Sequence, residues 1–474
     1  MKCSHLVPAL VALSLAACLV AGFDVYARTV EDRYVHALAP DMFHQKSLGN
    51  AIQKATLRQP DLLPMYGSSE MRADNTSDGA ALFDTYPTGF NVSRIGFELQ
   101  SLLCVTLQLA GDGSLLRGKK VVLIADRGTV LEYGGNWEDN FSALAAKELV
   151  FSSDLTYGLK QRIAGEMAKS PQLLSKDPLL EFATERLAGA SLADRAAYFA
   201  VFPLGKLSLW IMRLQDHWEV LAYIRGQKEL QAAVQRIPAA LDWPGLVARA
   251  SAQDAKESDN NVFHINNVYW NEHKNDLPRV DTTGPNLRGR NPPGPNLAGP
   301  NLRGPNSPGA KSPGPNLPGP NSPGPNSAGP NPPGPDSPGA SFPGPGSTSP
   351  GSAGANGKRI TSDAAFVRST LETPWNQLEL TLAELQELGA QTLLVGIPLN
   401  GRYFDYWGVS KTARATYYDK LSQLGRKYGA KVVTFQDHEY DRYFFYDFVG
   451  DHASVEGWVY IDQALDEFYH GTLR

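Results

Sequence analysis

From Gly284 to Gly344 glycine returns at every fifth residue, in runs such as GPNLAGPNLRGPNSPGAKSPGPN. A collagen triple helix needs glycine at every third position, so this period excludes one. Proline and glycine at such density, with almost no large apolar side chains, cannot bury enough surface to offset the entropy lost on ordering. Residues 281–358 are therefore expected to form a disordered insertion with local polyproline II character, an expanded loop repeat rather than a wall-binding or spacer element. The consequence for the fold is strict. Whatever is globular must be assembled from both sides of the repeat, residues 28–280 and 359–474.

On both sides the pattern is α/β. Short apolar runs that suit buried strands are LLPMY before Gly67, KVVLIAD from Lys120, TLLVGIP from Thr392 and KVVTF from Lys431,. Helical stretches separate them, which favours a largely parallel sheet. PWNQLELTLAELQELGAQ carries Leu378, Leu380, Leu382 and Leu385, stops at Gly389 and runs straight into the TLLVGIP strand,. Near the end, Trp458, Ile461, Leu465 and Phe468 fall on one helical face,.

Charge and cysteine usage exclude some classes. With 44 basic and 49 acidic residues the net charge is -5, which gives no nucleic-acid footprint,. Cys3 and Cys18 lie in the N-terminal segment and only Cys104 in the body, so no disulfide framework holds the fold,.

At the N-terminus Lys2 precedes an uncharged run, Leu6 to Phe23, that ends at Asp24. Its 18 residues sit near the lower limit for crossing a bilayer,. The preferred reading is an uncleaved signal-anchor over residues 1–27, with a cleaved signal peptide as the alternative. A lipoprotein signal at Leu15-Ala16-Ala17-Cys18 is disfavoured because five more apolar residues follow the cysteine. In each case the body is exported. The positive-inside rule keeps Lys2 in the cytoplasm and places a single-pass protein's body outside the cell membrane, periplasmic or extracellular. A second apolar segment, Tyr198 to Leu214, is broken by Pro203, Gly205, Lys206 and Arg213. A buried core or a partner surface suits it better than a spanning helix, because charge near a bilayer centre is costly.

The chemistry starts at DLLPMYGSSEMR, where a strand runs into Gly67-Ser68-Ser69-Glu70. A hydroxyl attacks at neutral pH only if a base takes its proton and donors hold the developing oxyanion. A glycine turn after a strand puts such a side chain at the carboxyl edge of the sheet, where open α/β folds place ligands. Alone, GSSE is equally a polar turn or a helix N-cap, with Glu70 serving the helix dipole.

Read in chain order, several motifs join it: an N-terminal membrane helix, GSSEM, Gly96 in NVSRIGFELQSLL, NNVFHINNVYW, IPLNGRYFDYWGVS and DHASVEGWVYIDQALDEFYHG. Together they resemble the DltD family of D-alanyl transfer proteins, whose extracytoplasmic domain is of SGNH-hydrolase type. The resemblance covers nearly all of the chain except the repeat and much of 130–255. It implies a three-layer α/β/α sandwich. It also implies that Ser69 is the nucleophile, with Ser68 as fallback and candidate substrate contact, and that His452 is the base and then the acid. The backbone amides of Ser69 and Gly96 become the candidate oxyanion donors.

The superfamily usually places an aspartate three residues before the histidine, and that position here is Val449. Of the flanking carboxylates Asp447 is preferred to Asp451, because an adjacent side chain is poorly placed to reach its neighbour's ring. Asn400, directly after a strand, is a candidate substrate contact or an Asx-type loop residue. Asp126 and Arg127, where the family carries a different motif, read as a solvated strand-end pair rather than substrate contacts. Asp437, His438 and Glu439 lack a convergent spacing, and no metal or cofactor is assigned.

The implied activity is acyl transfer. D-alanine from a carrier-protein thioester, delivered by a membrane-bound O-acyltransferase, passes to an envelope polymer such as teichoic acid or another glycan. A non-catalytic assembly factor that docks the carrier or the acyltransferase, and an envelope esterase, are the rival readings.

Overall fold

The computed structural model describes residues 6–71, 79–132, 140–227, 230, 240–259, 261–275, 360–372 and 375–473. The insertion expected at 281–358 lies outside the described residues, as does Lys2.

Among the described residues, five strands form one parallel sheet: β1 Leu62–Gly67, β2 Asn91–Gly96, β3 Lys120–Ala125, β4 Gln391–Gly396 and β5 Lys431–Val433, in the order β2-β1-β3-β4-β5. The four apolar runs are the four strands expected from them. β2 had no such signal. Its Arg94 interrupts the apolar pattern of this edge strand and spends its guanidinium on the carbonyls of Pro40 and Met71. β1 and β2 pair from Leu62 with Asn91 to Gly67 with Gly96, while β3 and β4 pair from Lys120 with Gln391 to Ala125 with Gly396. The sheet thus joins residues from both sides of the repeat, as the sequence required.

The helices that frame the sheet and the site include α1 Leu6–Leu38, α2 Ala51–Arg58, α3 Gly79–Thr85, α4 Leu102–Asp112, α5 Ala143–Val150, α6 Tyr157–Met167, α7 Pro178–Ala188, α8 Leu192–Gly226, α9 Trp243–Glu257, α10 Asn376–Leu388, α11 Lys411–Lys427 and α12 Val455–His470. They sort by contact into two sets. In one, α10 packs on α4, α11 and β4; in the other, α12 packs on α3 and α9. Right-handed crossovers in this strand order demand such a division, since the β1 to β2 connection moves away from β3 while the later connections move towards β5. Their direction reverses at β1, so β1 and β3 flank the topological switch point, where doubly wound sheets bind ligands at the carboxyl ends of the strands. Gly389 ends α10 in the left-handed conformation, φ 77°, as the glycine stop predicts,. Trp458, Ile461, Leu465 and Phe468 on α12 are all buried.

α1 continues for 33 residues, well past the boundary expected at 27. At 1.5 Å per residue it is about 50 Å long, against roughly 30 Å of bilayer hydrocarbon. Its second half therefore sits on the body. Beyond Asp24 two of its acidic residues find partners there: Arg58 Nε donates to Asp32 at 2.8 Å, and buried Glu31 meets His217 Nδ1 at 2.5 Å. Val35 and Leu38 pack with Ile52, Ala55 and Val220.

The apolar segment Tyr198 to Leu214 lies in α8, opened by a Ser191–Asp194 capping box and carrying Pro203 within it,. Tyr198, Gly205 and Leu209 are buried against the body, but Leu204, Leu207, Trp210 and Ile211 are exposed. Only one face of the helix is core. Among the described residues, α1 and α8 are the two helices long and apolar enough to cross a membrane.

Candidate active site

β1 runs buried from Leu62 to Gly67 and breaks into a single 3-10 turn, Ser69–Met71. Three bonds set that turn. The amide of Ser68 donates to Glu70 Oε1 at 2.6 Å, the amide of Gln100 donates to Ser68 Oγ at 3.0 Å, and the amide of Met71 donates to the Ser68 carbonyl at 3.2 Å. Ser68 is buried and committed to the turn, so it is Ser69 that faces outward, half-buried.

The partner comes from the other end of the chain. Phe445 bridges Ala453, and the amide of Tyr446 donates to the His452 carbonyl at 3.0 Å, closing a loop ahead of α12. Ser454 caps α12 by accepting from the amide of Gly457 at 3.3 Å,. Glycine is required at 457, because a Cβ there would stand 2.5 Å from the Phe444 carbonyl oxygen. Inside the loop Asp447 accepts from the amides of Gly450 at 2.8 Å, Asp451 at 3.1 Å and His452 at 3.1 Å. The same carboxylate meets His452 Nδ1 at 2.6 Å. His452 Nε2 lies 3.2 Å from Ser69 Oγ. With Nδ1 carrying the proton shared with Asp447, Nε2 is the accepting nitrogen and Ser69 donates.

The carboxylate hydrogen-bonded to this ring is that of Asp447. Its register is explained by the loop: Gly450, at φ 94°, turns the chain so that a residue five before His452 reaches its ring.

Around the imidazole the electrostatics are acidic. Burial alone would lower the pKa of His452, but the Asp447 hydrogen bond and charge, followed by the charges of Glu70 and Asp126, outweigh it and raise it above 6.5,. Burial, and then the charge of Asp126, raises Glu70; burial likewise raises Asp126.

Other expected residues fall in different places. Gly96 is the last residue of β2, opposite Gly67, and its amide donates to Ser47 Oγ at 3.1 Å, so this amide is already engaged. What the position needs is the absence of a side chain, since a Cβ would lie 2.1 Å from the Gly67 carbonyl oxygen. Nothing in the pattern around Ser47 signals that it reaches a strand end 49 residues away.

Asp126 and Arg127 are not a solvated pair. Both are buried: Asp126 accepts from the Thr129 amide at 2.8 Å, and the Arg127 guanidinium lies 5.3 Å from the Phe366 ring centre. The solvated reading assumed an exposed strand end, and the chain after β3 folds back over it.

Asn400 caps the short helix Gly401–Tyr406, accepting from the Tyr403 amide at 3.3 Å, which is the Asx-type role. It is fully buried, its own amide donates to the Val449 carbonyl at 3.2 Å, and its side-chain Nδ2 has no hydrogen-bond partner among the described residues. The bond to Val449 sets Asn400 beside the loop that carries Asp447 and His452. Glu439 is consumed by Arg414 at 3.0 Å and His438 by Asp441 at 2.6 Å, so Asp437, His438 and Glu439 do not converge on a common point.

The comparisons with known proteins agree with one another. The family model described as DltD protein matches residues 39–284 and 358–470. Protein DltD of Bacillus subtilis (strain 168) is 24% identical over 462 residues, covering 97% of this chain and 93% of that protein. Protein DltD of Staphylococcus aureus (strain NCTC 8325 / PS 47) is 31% identical over 97 residues, 20% of this chain and 24% of that protein.

Proposed function

The chain belongs to the DltD family, and on that premise we propose that it is a membrane-anchored acyltransferase that passes D-alanyl groups to a cell-envelope polymer through Ser69, His452 and Asp447. The observation that carries the reading is the continuous chain from Asp447 Oδ2 through His452 to Ser69 Oγ, with contacts of 2.6 and 3.2 Å, at the end of the strand beside the switch point.

The chemistry follows from that chain. Ser69 Oγ attacks the carbonyl carbon of the incoming D-alanyl group as its proton passes to His452 Nε2. Asp447 keeps the proton on Nδ1 and stabilises the imidazolium. The imidazolium then gives its proton to the departing thiolate or alkoxide, leaving a D-alanyl ester on Ser69. A polymer hydroxyl repeats the sequence, losing its proton to Nε2 while Ser69 recovers one. The amide of Ser69 is assigned to hold the carbonyl oxygen as it gains charge, and Asn400 to contact the substrate. A membrane-bound O-acyltransferase is the source of the acyl group, and the anchor α1 keeps the body beside it on the outer face.

The test is polymer-bound D-alanyl ester in cells producing the full chain. Ser69→Ala and His452→Ala are each expected to abolish it, and the double variant to be no worse than either, because members of one catalytic unit lose activity together. Ser68→Ala is expected to keep most of it. Normal ester content with both serines replaced would make the protein an assembly factor instead.

A further inference from the structure

α8 presents an apolar face that the acyl-transfer chemistry does not use. Leu204, Leu207, Ile211, Leu214 and Trp218 recur at alternate steps of three and four, which puts them in one stripe along the helix,. Leu207 is 53% and Trp218 60% exposed. Arg213 Nε donates to Glu148 at 2.7 Å and Lys206 Nζ to Ser153 at 3.5 Å, while Glu219 is exposed beside Trp218. The inner face is fixed to the body: a Cβ on Gly205 would stand 2.0 Å from the Phe151 ring, and Asp216 accepts from the amides of Asn50 and Ala51 at 2.8 Å each.

The position of α1 says what meets this stripe. The ring of Phe23, the last apolar residue of the N-terminal run, lies 6.3 Å from that of Trp218. Further along, Leu13, Ala16 and Ala17 of α1 wall one cleft, about 660 Å³ in volume, together with Trp210 and Leu214 of α8, although Lys54, Arg58 and Arg213 line it as well. Those α1 residues lie in the middle of the uncharged run. If α1 crosses the bilayer, Trp210 and Leu214 are at membrane depth as well, while Trp218 falls at the level where Phe23 gives way to Asp24. Tryptophan is enriched at that boundary. None of the five stripe residues is charged, and Glu219, exposed beside Trp218, falls with Asp24 at the boundary rather than in the hydrocarbon,.

We infer that α8 is a lipid-facing helix, its outer face immersed in the same leaflet that α1 enters and its inner face holding the body, so that the protein rests on the membrane by two elements rather than hanging from one. The occupant of the stripe is acyl chain; the cleft, with its charged lining, is not part of that surface. Because α8 is bolted to α5 and α2 through Glu148 and Asp216, this contact fixes the orientation of the whole sheet, and with it of Ser69, to the membrane surface. The inference rests on α1 as the anchor.

The experiment uses the full chain with Cys3→Ser and Cys18→Ser, leaving Cys104, which is buried, its thiol pushed up to about 12 by that burial, and so unreactive. A nitroxide is attached singly at Leu207→Cys or Ile211→Cys, with Leu13→Cys in α1 and the exposed Leu371→Cys on the body as references. In vesicles of phosphatidylcholine and phosphatidylglycerol, without other proteins, accessibility to oxygen and to a water-soluble nickel chelate is read by power saturation. Labels at 207 and 211 are expected to favour oxygen as the label at 13 does, the reverse of 371. Chelate accessibility like that of 371, with the label at 13 in lipid, overturns the inference and leaves the anchor reading intact. Shielding from both reagents also overturns it, because a second copy of the chain then covers the stripe. An aqueous label at 13 removes the anchor reading and the inference with it.

Discussion

Asp447→Asn separates the catalytic reading from a merely structural one more sharply than deletion of the side chain. The wild-type carboxylate divides its work: Oδ1 accepts from the amides of Gly450 and Asp451, and Oδ2 from the amide and Nδ1 of His452. An asparagine can keep the first pair on its carbonyl oxygen. Its amide group then faces two donors where Oδ2 stood. The ring answers by moving its proton to Nε2, the nitrogen that has to accept from Ser69. In a serine-histidine-aspartate unit that wrong tautomer costs roughly 10,000-fold in turnover. Leaving one backbone donor unpaired at this buried carboxylate costs about 1 to 3 kcal/mol in stability, so the variant still folds. The pH profile carries a second signature. Asp447 is the leading cause that raises the pKa of His452 against the effect of burial. A raised pKa means that the wild-type base is lost as pH falls through a value above 6.5; removing the carboxylate moves that acid limb to lower pH. The assay is the rate at which the purified full chain reacts with a serine-directed fluorophosphonate, followed across pH, which reports nucleophile activation whatever the natural acceptor is. Asp451→Asn serves as the comparison and is expected to stay within a few-fold of wild type. Equal rates for Asp447→Asn and wild type, or a larger loss in Asp451→Asn, would refute the reasoning.

Two further outcomes test the frame around the site. Arg414→Met leaves Glu439, which is fully buried and bound to Arg414 through both oxygens at 3.0 Å, without its counter-charge; a loss of about 3 to 5 kcal/mol is expected in chemical denaturation, and Arg414→Lys should not restore it because a lysine cannot make the paired contact. Gly96→Ala drives a methyl group against the Gly67 carbonyl, 2.1 Å from the ideal Cβ, and is expected to cost about 1 to 3 kcal/mol while slowing fluorophosphonate labelling of Ser69, since the strand end that carries the serine must shift.

Much of this arrangement is legible in the residues because it depends on short-range patterns. Fully buried parallel strands announce themselves as runs such as KVVLIA and TLLVG, and a helix that ends at Gly389 ends there for a local reason. β2 escapes because an edge strand with Arg94 and Ser93 in it has no run to find. A side chain adjacent to His452 is poorly placed to reach its neighbour's ring, which favours Asp447, and the turn at Gly450 brings that carboxylate to Nδ1. What the pattern could not give is burial created by distant chain. Asp126 and Arg127 look like a solvated pair until the segment after β3 and Phe366 cover them. Gly96 looks like an amide donor until Ser47 takes that donor. The composition of α8 suggests a buried core or a partner surface without dividing the two; Tyr198 and Leu209 are interior, and the stripe through Leu207 and Trp218 is left outside.

The central claim is that Ser69 carries the D-alanyl group. Full-length protein in membranes that supply its acyl donor, quenched in acid and digested, should yield the peptide containing Ser69 with one alanyl group attached as an ester that alkali removes. His452→Ala should yield that peptide unmodified. An unmodified Ser69 peptide from wild-type membranes that are actively acylating their polymer, under conditions in which an alanyl ester survives the work-up, would contradict the account.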